Sequence, residues 1–175
     1  MRMNQMKEIF SAAVIQRRVE EMAAQIDAVY GEESVVAVCV LKGAFPFFSD
    51  LVRAMKSDVL IDFVRLASYG DQASSSEHVQ ITKGVEISLE GRHVLIVEDI
   101  VDTGRSMDFL MRYFSSRGAK SIRLAALVDK KERREFNVHS DFVGFDLPAG
   151  FIVGYGLDYA ERYRTLPGIY ELLDC

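Results

Sequence analysis

Residues 94–107 read Val-Leu-Ile-Val-Glu-Asp-Ile-Val-Asp-Thr-Gly-Arg-Ser-Met. The four apolar residues predict a buried strand that stops at Glu98 and Asp99, and an amphipathic helix follows from about Ser106. Such a junction places carboxylates beside free backbone amides, at the edge where open α/β sheets bind ligands. The stretch therefore predicts a site that holds a sugar and a phosphate at once.

The segments around this stretch alternate between helices and strands. Apolar residues from Ile15 to Val29 recur at helical spacing, with Ser11 as the predicted cap and Gly31 after the last turn. We predict further helices at 45–55 and 106–117, and strands at 35–41, 59–67, 92–97, 121–128, 142–145 and 151–155. This order implies an α/β fold with a twisted, mainly parallel sheet flanked by helices.

One polar stretch interrupts the alternation. Residues 71–80 are rich in serine and lack apolar periodicity, so we expect a mobile loop there, followed by a solvent-facing hairpin at 81–89.

Length and composition favour one ordinary domain spanning residues 1–175. No run approaches the roughly 20 apolar residues of a membrane span, and the first ten residues lack the apolar block of a signal peptide, so we expect a cytoplasmic protein that does not bind membranes. The net charge of −5 argues against broad binding to nucleic acid. Cys39 and Cys175 are too few for a disulfide framework and are expected to be free thiols.

The residue types at 98–106 suit a phosphorylated sugar. Glu98 and Asp99 can accept hydrogen bonds from two ribose hydroxyls, and a Mg²⁺ ion can share them. The turn from Asp102 to Ser106 offers a glycine, two hydroxyl side chains and a helix start, which together form a nest of donors for phosphate. Taken alone, however, an acidic pair after a strand can be a simple cap, and Asp-Thr-Gly turns are common.

The stretch resembles the phosphoribosyl diphosphate signature of the phosphoribosyltransferases. Other blocks resemble the hypoxanthine-guanine phosphoribosyltransferases in family order across nearly the whole chain. These blocks are Leu41-Lys42-Gly43-Ala44-Phe45, Ser68-Tyr69-Gly70, residues 97–106, Asp129-Lys130, Arg133-Arg134, and residues 151–159, which read Phe-Ile-Val-Gly-Tyr-Gly-Leu-Asp-Tyr. The resemblance implies the type I phosphoribosyltransferase fold, with a small hood and a mobile loop over the site.

The resemblance also implies a reaction. Members of this family join a 6-oxopurine base to phosphoribosyl diphosphate, release pyrophosphate and form a nucleoside monophosphate, with Mg²⁺ as the cofactor. The resemblance implies homodimers or homotetramers as well.

On the base side, the resemblance assigns five residues. Asp102 is the general base for purine nitrogen 7, and Lys130 donates to the 6-oxygen of the base. Phe151 stacks on the purine, and Ile152 offers backbone groups to its edge. Asp158 is linked to the second Mg²⁺ through water, while Glu98 and Asp99 serve the ribose and the metal.

On the phosphate side, the resemblance assigns a loop and several cations. Lys42 and Gly43 form the pyrophosphate loop, and the peptide bond between them is expected to be cis. Arg134 and Arg164 reach pyrophosphate. The 5-phosphate cradle consists of Thr103, Gly104, Arg105 and Ser106. The closing loop at 68–80 brings Ser68 and Tyr69 over the sugar.

Three other functions are weighed, of which a nucleotide-binding α/β domain with no transfer activity retains little support. A regulator that senses phosphoribosyl diphosphate and binds RNA or DNA requires a basic face, which the acidic balance opposes. A transferase for another base is the second alternative. Lys130 and the 151–158 block oppose pyrimidines but leave xanthine open.

Overall fold

The computed structural model describes residues 6–70 and 77–173, except for the side chains of Ser68, Tyr69, Gly70, Glu77 and His78. The helices and strands follow in the order β1 (Met6–Phe10), α1 (Ala12–Tyr30), β2 (Val35–Leu41), α2 (Phe45–Ala54), β3 (Val59–Gly70), β4 (Glu77–Lys83), β5 (His93–Val101), α3 (Arg105–Ser116), β6 (Ser121–Asp129), β7 (Phe142–Asp146), β8 (Ile152–Val153) and β9 (Ile169–Leu172). None of the described helices is long and apolar enough to cross a membrane.

The main sheet has six strands in the order β4-β3-β2-β5-β6-β7. All neighbouring strands are parallel except β3 and β4, which form an antiparallel pair. The chain leaves β2 through α2 to reach β3, and it leaves β5 through α3 to reach β6 on the other side. The strand order therefore reverses between β2 and β5, and a ligand crevice is expected beyond their carboxyl ends.

Each face of the main sheet has its own apolar core. Successive residues of β2 point into opposite cores. Cys39 packs with α1 and α2, whereas Val38 packs with α3. Burial raises the pKa of the Cys39 thiol to about 12, with the charges of Glu98 and Asp99 adding to the effect. The thiol is therefore free and un-ionised, while Cys175 lies outside the described residues.

A second sheet of three antiparallel strands, β1-β9-β8, forms a hood beside the main sheet. Ile152, Leu157 and Ile169 of this region are buried in the same core as α1 and α2. The hood strands are short and partly polar. Sequence periodicity predicted neither β1 nor β9, because these strands are stabilised by pairing with each other across more than 150 residues of chain.

Most predicted elements are confirmed, with shifted ends. Helix α1 starts after Ser11, whose hydroxyl accepts from Val14 N at 3.4 Å, and ends at Tyr30, just before Gly31. Val29 is exposed, and Tyr30 is buried in its place. Strand β5 runs to Val101, so the prediction that it stops at residue 97 is wrong, because pairing with β6 continues beyond the carboxylates.

The hairpin predicted at 81–89 is also wrong. Strand β4 pairs with β3 from residue 77 onward, which includes the end of the stretch predicted to be a loop. The rest of that stretch, residues 71–76, lies outside the described residues.

A buried carboxylate joins the edge of the main sheet to the segment after β4. Asp62 Oδ1 accepts from Phe63 N at 2.7 Å, and Oδ2 accepts from Glu86 N at 2.7 Å and from Ile87 N at 2.8 Å. Asp62 is only 4% exposed, so its carboxylate depends on these amides as hydrogen-bond donors.

We predict that Asp62→Asn lowers the free energy of unfolding by about 2 kcal/mol, because an amide group presents an N–H to backbone donors that require an acceptor. Urea denaturation measures the loss. Asp58→Asn is the control, since Asp58 is exposed and its replacement is expected to change stability by less than about 0.5 kcal/mol. Equal stability of the two variants would contradict this account.

Candidate active site

The candidate site lies where the strand order reverses, beyond the carboxyl ends of β2 and β5. Three segments of the chain meet there, and two of them have no room for a side chain at the point of contact. A Cβ built on Gly43 stands 1.7 Å from an Asp99 carboxylate oxygen, and one built on Gly156 stands 1.9 Å from the Gly43 carbonyl oxygen. Glycine at these two positions therefore brings the loop after β2 and the hood against the end of β5.

Two cavities open at this edge and share the walls formed by Asp99, Ile100 and Asp102. The larger, of about 360 Å³, extends toward the hood and includes Lys130 and Phe151. The smaller, of about 270 Å³, extends toward the start of α3. A ligand that fills both cavities passes directly over Asp99 and Asp102.

The carboxylate pair lies at the junction of the two cavities. Glu98 is 8% exposed, and its carboxyl accepts a hydrogen bond from Asp99 N at 3.2 Å. Burial, and then the adjacent Asp99 charge, raise the pKa of Glu98 well above its usual range. Burial also raises the pKa of Asp99, although a hydrogen bond from Ile100 N and the charge of Arg164 oppose this effect.

Asp102 presents a free acceptor to the site. Its Oδ2 accepts from Arg133 Nη1 at 3.1 Å, whereas its Oδ1 is buried and has no hydrogen-bond partner among the described residues. A buried acceptor without a partner costs free energy unless a ligand donates to it. The structure does not use Asp102 as the helix cap, because the N-cap of α3 is Gly104.

The turn before α3 lines the smaller cavity with Thr103, Gly104 and Ser106. Gly104 has φ +84, and a Cβ at this position would stand 3.2 Å from the Phe136 carbonyl oxygen. Glycine therefore permits the left-handed turn with which α3 begins beside the cavity. Arg105 instead pairs with Glu135 at 2.9 Å and lies outside the cavity wall.

The larger cavity combines an apolar platform with one cation. Phe151 is 43% exposed and packs edge-on against Tyr159, with ring centroids 5.5 Å apart. Lys130 follows β6, and its Nζ donates to the Gly150 carbonyl oxygen at 2.5 Å. Burial lowers the pKa of Lys130, while the charge of Asp102 opposes this effect.

A cluster of charges lies beside the carboxylate pair. Lys42 Nζ pairs with Glu161 at 2.8 Å, and Arg164 Nη2 pairs with Asp158 at 2.9 Å. Asp158 also lines the larger cavity, and both of its carboxylate oxygens have protein partners.

The cis peptide bond lies between Leu41 and Lys42. The prediction that placed it between Lys42 and Gly43 is therefore wrong by one bond. The reason is local, since β2 ends at Leu41 and the chain leaves the sheet at the bond that follows.

Arg134 does not lie in either cavity, contrary to the prediction that it reaches pyrophosphate. Its guanidinium forms an ion pair with Asp129 and donates to the carbonyl oxygens of Asp102 at 2.9 Å and Val138 at 2.8 Å. These contacts hold the guanidinium inside the protein and tie it to the backbone of the site.

The structure therefore brings together most of the predicted site residues. The cavity walls contain Glu98, Asp99, Asp102, Thr103, Gly104, Ser106, Lys130, Phe151, Ile152 and Asp158. Lys42, Gly43 and Arg164 lie beside them, while Arg105 and Arg134 point elsewhere. The side chains of Ser68 and Tyr69 lie outside the described residues.

Several residues at the site were not predicted, and Leu157 and Arg133 are two examples. Leu157 is part of the wall of the larger cavity, and Arg133 pairs with Asp102. Leu157 reads as core in the sequence, and Arg133 sits in an exposed charge run, so neither carries a local signal of its role.

The residues fit a Mg²⁺ ion for which the substrate supplies some of the ligands. The described residues contain no group of three or more side chains that could hold a metal by themselves. Mg²⁺ is commonly bound by one or two carboxylates together with substrate phosphates. Glu98 and Asp99 form such a pair, and a cation there offsets both the burial and the adjacent charge that raise the pKa of Glu98.

Comparisons with known proteins agree with this geometry. The model of the phosphoribosyl transferase domain family matches residues 5–160. Hypoxanthine-guanine phosphoribosyltransferase of Bacillus subtilis is 44% identical over 163 residues, which are 93% of this chain and 91% of that protein. The Aquifex aeolicus enzyme of the same name is 44% identical over 161 residues, covering 91% of this chain and 90% of that protein.

Solved structures give the same result. The crystal structure of a hypoxanthine-guanine phosphoribosyltransferase from Bacillus anthracis has a TM-score of 0.90 and 40% identity, covering 94% of this chain and 97% of that one. The hypoxanthine phosphoribosyltransferase from Staphylococcus aureus has a TM-score of 0.92 and 36% identity, covering 97% of this chain and 92% of that one. The chain therefore belongs to the phosphoribosyltransferase family, among the hypoxanthine-guanine phosphoribosyltransferases.

Proposed function

We propose that this protein transfers the 5-phosphoribosyl group of phosphoribosyl diphosphate to nitrogen 9 of hypoxanthine or guanine in purine salvage. The products are the nucleoside monophosphate and pyrophosphate. The observation that carries the proposal is the pair of cavities that meet at Asp99 and Asp102. A flat aromatic base fits the cavity with Phe151 and Lys130, while a ribose 5-phosphate fits the cavity that ends at α3.

The smaller cavity binds the 5-phosphate. The Thr103 and Ser106 hydroxyls and the first amides of α3 supply donors, and the helix N-terminus favours the negative charge. Since most of these donors belong to the backbone, the cradle does not need the side chain of Arg105. The ribose then lies over Glu98 and Asp99, whose carboxylate oxygens accept from its two ring hydroxyls.

The larger cavity binds and orients the base. Phe151 offers a ring face for stacking, and Ile152 offers backbone groups to the base edge. Lys130 donates to the 6-oxygen, which favours oxopurines because the 6-amino group of adenine is a poor acceptor. The free Oδ1 of Asp102 accepts the proton from nitrogen 7 as nitrogen 9 attacks the anomeric carbon.

Pyrophosphate leaves on the side of Gly43. The charge of Arg164 acts on Asp99, and Lys42 directly precedes Gly43, which contacts Asp99. Both cations bind the departing polyanion once Lys42 releases Glu161 and Arg164 releases Asp158 and Glu161. Glu98 and Asp99 would hold one Mg²⁺, Asp158 would be linked to a second through water, and these cations would neutralise the charge of the leaving diphosphate. We propose that Ser68 and Tyr69 close over the sugar and exclude water.

Three further features complete the proposal. The hood shares its core with α1 and α2, which supports a single domain over residues 1–175. We propose a homodimer or homotetramer, as the resemblance implies, and a cytoplasmic location. Binding of nucleic acid is not part of the proposal, because the net charge is −5.

The test of the reaction is direct. The protein is mixed with phosphoribosyl diphosphate, Mg²⁺ and one free base at a time, and nucleotide formation is followed by chromatography. We expect product with hypoxanthine or guanine and none with adenine or uracil. Xanthine shows whether the base cavity also accepts a 2-oxo group. The absence of product with every oxopurine would contradict the proposed function.

We predict that Asp102→Asn slows transfer by about 10²–10⁴-fold, which is the usual contribution of a positioned general base. Binding of phosphoribosyl diphosphate is expected to change by less than about twofold, because the amide keeps the size of the side chain. Steady-state kinetics and calorimetry separate the two quantities. Asp108→Asn, a change on α3 at an Asp paired with Arg112, is the matched control. Unaltered turnover of Asp102→Asn would exclude Asp102 as the base.

We predict that Glu98→Gln stabilises the ligand-free protein more at pH 9 than at pH 5. The pKa of Glu98 is raised in the folded state, so the protonated carboxyl is tolerated at low pH, and stability is lost as pH rises through the folded pKa. A gain of about 1 kcal/mol corresponds to a rise of about 2–4 °C in Tm, measured by thermal unfolding.

Mg²⁺ provides an independent check of this prediction. It is expected to raise the Tm of the parent protein at pH 9 and to have less effect on Glu98→Gln, because the variant lacks the charge that the cation neutralises. Glu90→Gln, at an exposed position, is the control. An advantage of Glu98→Gln that is equal at both pH values would refute the explanation.

A further inference from the structure

Lys130 and Gly150 contact each other in the wall of the larger cavity. Lys130 Nζ donates to the Gly150 carbonyl oxygen at 2.5 Å, and both residues are part of the cavity wall. Among the described residues, Nζ has no other hydrogen-bond partner. A lysine side chain has four rotatable bonds, so without this acceptor its ammonium group samples many positions.

The conformation of Gly150 allows this contact. Gly150 has φ +101, which side chains of L-residues rarely adopt. A Cβ built there stands 2.7 Å from Glu171 Oε1. The carboxylate lies at the end of a flexible side chain and can move away, so the backbone conformation is the stronger restriction. An L-residue at this position therefore favours another φ, in which the carbonyl no longer faces Lys130.

We infer that Gly150 is a positioning residue that holds the Lys130 ammonium group in place for the keto oxygen of the base. The inference rests on the proposed function and extends it to a position where the side chain is absent. An ammonium group has three donors, so two remain for a ligand when one is given to Gly150. The Lys130 side chain is then already ordered in the free protein, so binding does not lose the conformational entropy of ordering it.

The role is specific to the half of the ligand that carries the base. Gly150 is part of the wall of the larger cavity and not of the smaller one. A ligand that has only ribose and phosphate does not reach Lys130. Loss of the Gly150 contact should therefore lower the affinity for nucleotides and leave the affinity for ribose 5-phosphate unchanged.

The experiment compares two ligands by calorimetry in the presence of Mg²⁺. Inosine monophosphate carries the keto oxygen, and ribose 5-phosphate lacks the base. We expect Gly150→Ala to lower the affinity for inosine monophosphate about two- to tenfold, because one long side chain must then be ordered on binding. The affinity for ribose 5-phosphate should stay unchanged. Equal weakening of both ligands, or of neither, overturns the inference.

Gly91→Ala is the matched control. Gly91 also has positive φ, at +68, and a Cβ there meets nothing within 4 Å. It precedes β5, at the opposite end of the strand from Glu98 and Asp99, so its replacement introduces backbone strain without altering the site. We expect lower thermal stability in this variant and parent-like affinity for both ligands. If Gly91→Ala loses as much nucleotide affinity as Gly150→Ala, the loss in Gly150→Ala comes from general backbone strain, and the inference is overturned.

A double-mutant cycle tests the link to Lys130. In a Lys130→Met background, Gly150→Ala should cause no further loss of affinity for inosine monophosphate, because the group that it positions is gone. A persistent loss overturns the inference. Gly150→Asn provides a milder variant if Gly150→Ala folds poorly. Asn tolerates positive φ better than Ala, so we expect an affinity between those of the parent and Gly150→Ala, and an affinity below that of Gly150→Ala counts against the inference.

These measurements also separate the inference from the proposed function. A parent protein that binds neither ligand contradicts the proposed function. A parent protein that binds both, together with a Gly150→Ala variant that binds both equally well, contradicts only the role of Gly150.

Discussion

The parallel pairing of β2 with β5 is the constraint on which the site depends. It aligns Val35 with His93 and Cys39 with Val97, so both strands end at the same edge of the sheet. The loop after β2 then places the Gly43 backbone in close contact with the Asp99 carboxylate, and Gly156 is in close contact with Gly43. This close approach places the acidic pair, the start of α3 and the hood around one opening.

The same edge contains groups that reduce the stability of the ligand-free fold. Glu98 is a buried carboxylate beside another carboxylate, and a buried oxygen of Asp102 has no partner. Each arrangement is unfavourable until a cation or a proton donor arrives, so binding energy is available where the reaction takes place. Beside these groups, Arg134 is held in place by its contacts with Asp129 and with the Asp102 carbonyl oxygen.

Much of the molecule could be predicted from the sequence. Apolar runs and capping residues located α1 and the central strands, because burial of one face produces a regular pattern along the chain. The element ends were less accurate, and β5 continues through Glu98 because pairing with β6 continues there. Strands β1 and β9 were missed, since they depend on a partner more than 150 residues away. The resemblance of several motifs identified ten of the residues that line the two cavities.

What the sequence by itself determined is the set of chemical groups: a carboxylate pair, a glycine turn before a helix, a lysine after a strand and an exposed aromatic residue. Only the tertiary structure decided which groups face a ligand. Arg134 and Lys130 are cations four positions apart, yet one is enclosed by carbonyl oxygens while the other faces the larger cavity. Gly150 acts through its carbonyl oxygen. The physical reason is that the direction of a long side chain or of a carbonyl depends on contacts between distant segments, which the local pattern of residues does not specify.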